Sequence, residues 1–127
     1  MLITCSLLLC SCCDNIIYFD LKSQSIKSCN KQIICNIYIS NLKNEDYYHF
    51  TKIPKKKGTN EFNIVNINQE YTLEGLYKEL PLDSFKLRPN TEYEVVNHTF
   101  GDAADGKLRI KTNNKGSVFY ASKTYCE

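Results

Sequence analysis

Alternation of apolar and polar residues with a period of two runs through the chain from Ile16 onward and is the strongest constraint on its fold. β-Branched and aromatic residues fill the apolar positions and polar turns separate the segments, a pattern typical of strands in two-layer β proteins. One face of each of the first two predicted strands consists of Ile17, Phe19 and Leu21, and of Ile33, Cys35, Ile37 and Ile39. The pattern therefore predicts an all-β sandwich.

Length and charge limit the number of domains in the chain and the class of partner that it can bind. The chain has 127 residues, of which 43% are hydrophobic and 24% charged, so we expect one folded domain. Sixteen basic and 14 acidic residues give a net charge of +2. This is too near balance for the basic surface that nucleic-acid binding requires, so we expect no nucleic-acid partner.

Two later segments have less regular patterns. Residues 47–53 are aromatic on both faces, which predicts a strand that lies centrally or faces a partner. In residues 62–67 the apolar positions change phase at Val65, which predicts a bulge or a bend between the sheets.

The segment 72–80 departs from the period of two. Its apolar residues recur at the spacing of one helical face: Leu73, Leu76, Tyr77 and Leu80. Thr72 is a suitable N-cap and Pro81 a stop signal. The spacing predicts a short helix over residues 73–80 that crosses between the two sheets.

A motif in residues 85–95 narrows the class of sandwich. Its L-x-P-x-T-x-Y-x-V pattern is formed by Leu87, Pro89, Thr91, Tyr93 and Val95. It resembles the corner between strands E and F of fibronectin type III and related immunoglobulin-like domains. The resemblance implies a Greek-key sandwich in which Leu87 closes a strand into the core, Pro89 fixes the turn, and Tyr93 and Val95 point inward. It also implies that the Tyr93 hydroxyl returns to upstream backbone.

The chain departs from that family in lacking Trp and in ending with an additional hairpin. Leu108 and Ile110 predict one strand of this hairpin, residues 113–116 a turn, and residues 117–122 its last strand.

The first 13 residues read MLITCSLLLCSCC and differ in character from the rest. The apolar run is too short to span a bilayer but fits a secretory leader. Leu9, Cys10, Ser11 and Cys12 resemble the lipobox of bacterial lipoproteins. The resemblance implies a signal peptide over residues 1–11, acylation of Cys12 by palmitate-type chains, and a mature domain over residues 12–127. The alternative is that residues 2–10 form a buried first strand.

This leader places the protein, by resemblance, in the bacterial cell envelope, anchored to the outer membrane by membrane lipid on Cys12. Export also favours disulfides, and four cysteines would remain: Cys13, Cys29, Cys35 and Cys126. Three complete pairings are open. We favour Cys29 with Cys126, which would attach the C-terminal strand to the body, because Cys35 lies in an apolar strand. None of the spacings among these four cysteines is C-x2-C, and both histidines lie far from any of them in sequence, so we expect no zinc.

His49 and His98 are the two imidazoles of the chain, and neither lies in a nucleophile motif. We expect both on strand surfaces. Asn97, His98 and Thr99 also form a glycosylation sequon, which matters only in a eukaryotic secretory pathway.

Two loops and one strand are candidates for binding. Asp102 and Asp105, bracketed by glycines, would suit either a turn or a calcium ion, and the spacing is not that of an EF-hand. Lys55, Lys56 and Lys57 would suit either a solvated tip or an anionic surface. Tyr47 and Tyr48 mark the aromatic strand.

The sequence therefore predicts a lipid-anchored envelope module that binds another envelope protein or a glycan, without catalysis, cofactor or metal. The alternative is an inhibitor or immunity-type lipoprotein that blocks a periplasmic enzyme, which would need an exposed apolar patch. An enzyme would instead need a pocket that joins His49 or His98 to a carboxylate or Cys with a shifted pKa.

Overall fold

The computed structural model describes residues 14–101 and 103–126. In these ranges the chain is all-β, with strands joined by turns and single-turn 3-10 helices at Leu42–Asn44 and Leu82–Ser84. The strands are β1 (Ile17–Asp20), β2 (Ser25–Ser28), β3 (Asn36–Asn41), β4 (Asp46–Lys52), β5 (Glu61–Asn63), β6 (Tyr71–Glu74), β7 (Glu79–Leu80), β8 (Glu92–Asn97), β9 (Gly106–Thr112) and β10 (Val118–Ala121).

Two antiparallel sheets form a sandwich, as the alternation predicts. The small sheet has the order β1-β2-β5, and the large sheet has the order β10-β9-β8-β3-β4-β6-β7. The aromatic strand β4 lies inside the large sheet between β3 and β6, so its central position is confirmed.

The core lies between the sheets and consists of the inward side chains of both. Phe19 of β1 and Ile37 and Ile39 of β3 are fully buried. Phe50 of the large sheet packs on Phe62 of the small sheet, with ring centroids 4.9 Å apart. Burial of each such side chain contributes roughly 1.5–3 kcal/mol, so these contacts hold the layers together.

Leu21 and Ile33 are exceptions to the predicted inward faces, with 36% and 40% of their surface exposed. Both lie just outside the regular strands, where the alternation no longer dictates direction. Ile34 is buried instead, and forms an isolated bridge with Thr59.

The predicted helix over residues 73–80 is wrong, because this segment forms a hairpin. β6 and β7 pair antiparallel, with Leu73 opposite Leu80, and the N–H of Gly75 donates to the carbonyl of Lys78 at 2.7 Å. Leu76 and Tyr77 lie in the turn and are exposed. Two leucines seven residues apart share a face in a helix and in this hairpin alike, so the spacing alone does not separate the two structures.

The phase change at Val65 is a bend between the sheets, as predicted. β5 pairs with β2 in the small sheet, and the chain then bends over residues 64–66 before β6 joins β4 in the large sheet. At the bend Ile64 remains buried whereas Val65 is 75% exposed.

The corner before β8 has the predicted tyrosine contact. The backbone N–H of Arg88 donates to the Tyr93 hydroxyl at 2.8 Å, and that hydroxyl donates to Asp46 Oδ2 at 3.1 Å. Leu87, Tyr93 and Val95 are buried, and Pro89 lies in the exposed turn. Leu87 does not close a strand, however, because residues 85–88 are irregular and follow a 3-10 helix. Burial raises the pKa of Tyr93 to about 12.

The predicted disulfide between Cys29 and Cys126 is present. It joins residues 97 apart in sequence, with Cα atoms 5.7 Å apart, and so fixes the segment after β10 to the end of β2. Cys35 is free and half-buried.

The leader over residues 1–11, the proposed lipid site Cys12 and the remaining thiol of Cys13 lie outside the described residues, as does Asp102. In the part of the chain that the structure describes, no helix is long and apolar enough to cross a bilayer.

Candidate functional site

The large sheet has one face packed on the core and a second, outer face that carries polar and aromatic side chains. Side chains alternate along each strand, so the residues between the buried ones of the central strands point outward. The central outward residues are Asn36, Tyr38 and Ser40 of β3, Tyr47, His49 and Thr51 of β4, Thr72 and Glu74 of β6, and Glu94 and Val96 of β8. Val96 is the one aliphatic residue in this set, so hydrogen-bonding groups and rings make up nearly all of the surface.

Four rings meet on this outer face and are here called the ring cluster: Tyr38, Tyr47, His49 and His98. Tyr38 and His49 are directly opposite each other in the β3–β4 pair, and their rings stack with centroids 4.0 Å apart and planes at 10°. Tyr47 and His98 meet the Tyr38 ring edge-on, at 6.2 and 6.4 Å. The register of β3 therefore brings together the two histidines of the chain.

His49 is held in place by hydrogen-bonding groups on two strands, β3 and its own strand β4. Its Nε2 lies 3.0 Å from Asn36 Oδ1 and 3.1 Å from Thr51 Oγ1. Its Nδ1 lies 3.7 Å from Glu74 Oε1. Burial lowers the pKa of His49, and His98 adds to this effect while Glu74 opposes it. The imidazole is therefore neutral at pH 7 and presents one donor and one acceptor.

His98 connects the ring cluster to the loop between β8 and β9. Its Nδ1 lies 2.6 Å from Asp105 Oδ1, and its ring meets that of Phe100 edge-on at 5.2 Å. The structure thus joins one predicted loop carboxylate, Asp105, to a histidine on the sheet.

The predicted lysine tip is elsewhere. Lys55, Lys56 and Lys57 are exposed in the loop after β4, at the end of the sheet and not on its face. Of the two predicted tyrosines, only Tyr47 faces outward. Tyr48 packs against the core, and its hydroxyl donates to the carbonyl of Lys86 at 3.3 Å.

Both histidines lie on the sheet surface, as predicted, but the sequon residue Asn97 does not. Its side chain is buried and donates to the carbonyl of Asn15 at 3.2 Å. An enzyme that glycosylates asparagine would therefore not reach Asn97 in the folded domain.

Thr51, His49 and Glu74 place a hydroxyl, an imidazole and a carboxylate in the order used by nucleophilic hydrolases. The distance of 3.7 Å between His49 and Glu74 exceeds a hydrogen bond, so the carboxylate does not orient the ring. The N–H of Lys52, beside Thr51, donates to the carbonyl of Cys35 and is not available to an oxyanion.

Three members of the site had no sequence signal of their own: Tyr38, Asn36 and Glu74. Only the pairing of β3 with β4 and of β4 with β6 puts the three beside His49. Strand order is a long-range property that periodicity does not report.

Comparison of the chain with protein-family models, curated proteins and solved structures finds no match. Within residues 14–101 and 103–126, no group of three or more His, Cys, Asp or Glu side chains is arranged to hold a metal ion.

Proposed function

We propose that this protein is a lipid-anchored, non-catalytic binding module of the bacterial outer membrane, and that it binds a glycan through the ring cluster. The observation that carries the proposal is the stacked Tyr38–His49 pair, surrounded on the sheet face by amide, hydroxyl and carboxylate groups.

A sugar ring has an apolar face of C–H groups and an edge of hydroxyls. Aromatic faces are electron-rich and attract the C–H groups, while Thr51 and Glu74 are of the types that bond hydroxyls. The same face has few aliphatic groups, so it lacks the apolar centre typical of protein interfaces. These properties favour a glycan over a protein as the ligand of this face.

Anchorage is supported by the lipobox-like residues Leu9 to Cys12 and by the disulfide between Cys29 and Cys126, since disulfides persist outside the reducing cytoplasm. Mass spectrometry of the mature N-terminus from a bacterial host tests the anchor. An acylated Cys12 supports it, and an unprocessed N-terminus overturns it.

Binding is tested with the full-length protein on an array of bacterial envelope glycans, with Tyr38→Ala and His49→Ala as site variants. Tyr77→Ala is the matched control, because Tyr77 is 91% exposed in the β6–β7 turn and is not part of the ring cluster. Loss of one ring contact is expected to weaken binding by about 10-fold.

Retained binding by both site variants would overturn the proposed site, provided that their melting temperatures remain close to the wild type. Absence of any bound glycan, with saturable binding to one purified periplasmic enzyme, would support the inhibitor alternative instead.

A specific surface favours that alternative as the second candidate. Leu76 and Tyr77 are exposed at the β6–β7 turn, and together with Tyr47, Tyr48 and Leu80 they line a shallow groove. An exposed apolar surface of this kind is what an inhibitor of the immunity type would use. The Tyr77→Ala variant therefore separates the two candidate functions. It would abolish binding to an enzyme and leave glycan binding unchanged.

We further propose that the sandwich belongs to the immunoglobulin-like class. Support comes from the tyrosine contact at the corner and from the placement of β1, β2 and β5 in one sheet and β3, β4, β8 and β9 in the other. On this view the β6–β7 hairpin and β10 are additions at the two edges of the larger sheet.

A further inference from the structure

The first described residues of the chain are fixed to one end of the sandwich. The side chain of Asn15 donates to the carbonyl of Ala104 at 3.0 Å and to Thr99 Oγ1 at 3.2 Å, both in the β8–β9 loop. The carbonyl of Asn15 passes so close to Gly106 that a Cβ there would lie 1.7 Å from it. The first described residues, Asp14 and Asn15, therefore lie beside this loop, and we call this end of the sandwich the tether end.

The loop after β4, which carries Lys55, Lys56 and Lys57 and is here called the lysine loop, lies at the same end, as the strand register shows. β4 and β8 both pair antiparallel with β3, so they run in the same direction and finish at the same end of the sheet. Thr51 near the end of β4 is opposite Asn36, and Asn97 at the end of β8 is opposite Ile37. Two strand spacings, about 10 Å, separate the starts of the two loops.

These loops carry the two kinds of side chain that bind a membrane surface. Phe100 in the β8–β9 loop is 87% exposed. Lys55, Lys56 and Lys57 are exposed, and their loop is closed by Lys52 Nζ, which donates to the carbonyl of Lys56 at 2.8 Å. Residues 53–60 include no Asp or Glu, so the three lysines give this loop a local positive charge, while Asp105 in the loop of Phe100 lies 2.6 Å from His98 Nδ1.

A lipid anchor on Cys12 would hold the tether end close to the membrane, because few residues separate Cys12 from the domain. Cys12 lies two residues before Asp14, and two residues reach at most about 7 Å. A domain held this closely has its tether end at the headgroups, where an exposed aromatic ring and basic side chains are both favourable.

We propose that the tether end docks on an anionic lipid surface, with Phe100 inserted between headgroups and Lys55, Lys56 and Lys57 in contact with their phosphates. This inference depends on the lipid anchor of the proposed function and is independent of the glycan site.

The absence of Trp from the chain gives a direct test, because one introduced indole is then the sole Trp reporter. The acylated protein is reconstituted into phosphatidylglycerol-rich vesicles with brominated acyl chains, with Phe100→Trp as the reporter and Tyr77→Trp as the matched control. Tyr77 lies in the turn after β6, at the opposite end of the large sheet, and is similarly exposed. The lipid should strongly quench the indole fluorescence of the Phe100→Trp protein and leave that of the Tyr77→Trp protein unchanged.

Replacement of Lys55, Lys56 and Lys57 by Gln in the Phe100→Trp protein should lower the ratio of docked to undocked protein by about 100-fold, at roughly fivefold per lysine near an anionic surface. Quenching should then fall toward that of the Tyr77→Trp protein.

Three results separate the two proposals. Vesicles that float without protein overturn the anchor and the docking together. Vesicles that carry the Phe100→Trp protein with its indole unquenched overturn the docking alone. Equal quenching of the Phe100→Trp and Tyr77→Trp proteins also overturns it, because the domain then contacts lipid without a preferred end.

Discussion

The side-chain amide of Gln24 makes both of the hydrogen bonds that a neighbouring strand would make to Val118. Gln24 Nε2 donates to the Val118 carbonyl at 2.9 Å, and the Val118 N–H donates to Gln24 Oε1 at 2.9 Å. Gln24 ends the turn between β1 and β2, whereas Val118 begins β10 at the edge of the large sheet. One side chain therefore connects the two layers and occupies an edge that another strand could otherwise pair with.

We expect Gln24→Ala to lower the free energy of unfolding by about 1–3 kcal/mol, because it leaves both polar groups of the Val118 peptide without their partner. At about 4 °C per kcal/mol, the melting temperature should fall by about 4–12 °C. Gln69→Ala is the control, since Gln69 makes only a local bond of 3.4 Å to the carbonyl of Ile67. Equal melting temperatures for the two variants would contradict this role.

Tyr93→Phe should also destabilise the domain, by about 1–3 kcal/mol in urea unfolding, because it removes the acceptor of the Arg88 N–H and the donor to Asp46. Tyr48→Phe is the comparison, since it removes one bond of 3.3 Å to the Lys86 carbonyl and should cost less. If Tyr48→Phe costs as much as Tyr93→Phe, the corner is not the stabilising feature described here.

Reduction of the Cys29–Cys126 disulfide should lower stability by about 2–5 kcal/mol, because it releases a closed loop of nearly the whole domain. Thermal unfolding with and without reductant measures this loss. Cys126→Ser should match the reduced wild type and be insensitive to reductant, while Cys35→Ser should respond as the wild type does. An unchanged melting temperature on reduction would show that the sheets hold the C-terminal segment without the bond.

Stability should decline as the pH falls below about 6.5, in part because of His49. Burial lowers the folded-state pKa of this residue, with Glu74 opposing and His98 reinforcing the shift. Between that pKa and about 6.5 the unfolded chain binds the proton and the folded chain does not, so the contribution of His49 is complete above about 6.5 and is lost toward lower pH.

His49→Gln tests this assignment by urea unfolding over a pH series that runs from above to well below the ordinary histidine pKa of about 6.5. The variant should show a shallower decline through the window just below that value. Parallel stability profiles for the wild type and the variant would assign the decline to other groups.

Sequence periodicity predicted those features whose cause is local. Alternation located β1, β3 and β9, and the corner motif located the buried Tyr93 and Val95. It failed at residues 73–80, where Leu73 and Leu80 face each other across a hairpin that mimics helical spacing. The ring cluster depends on which strands pair, so Tyr38 beside His49 was beyond what a single sequence reports.

The start of β3 and the ends of β4 and β8 lie at the tether end of the sandwich. If the domain docks on that end, the axes of these strands lie roughly along the membrane normal. Among the four rings, His98 is then nearest to the bilayer and Tyr47 is farthest from it. A polymer that runs parallel to the membrane plane would cross β8, β3 and β4 in turn, and so pass from His98 and Tyr38 toward His49. If the proposed docking and glycan binding both hold, the outer face would therefore bind a polymer that lies along the membrane and not one that extends away from it.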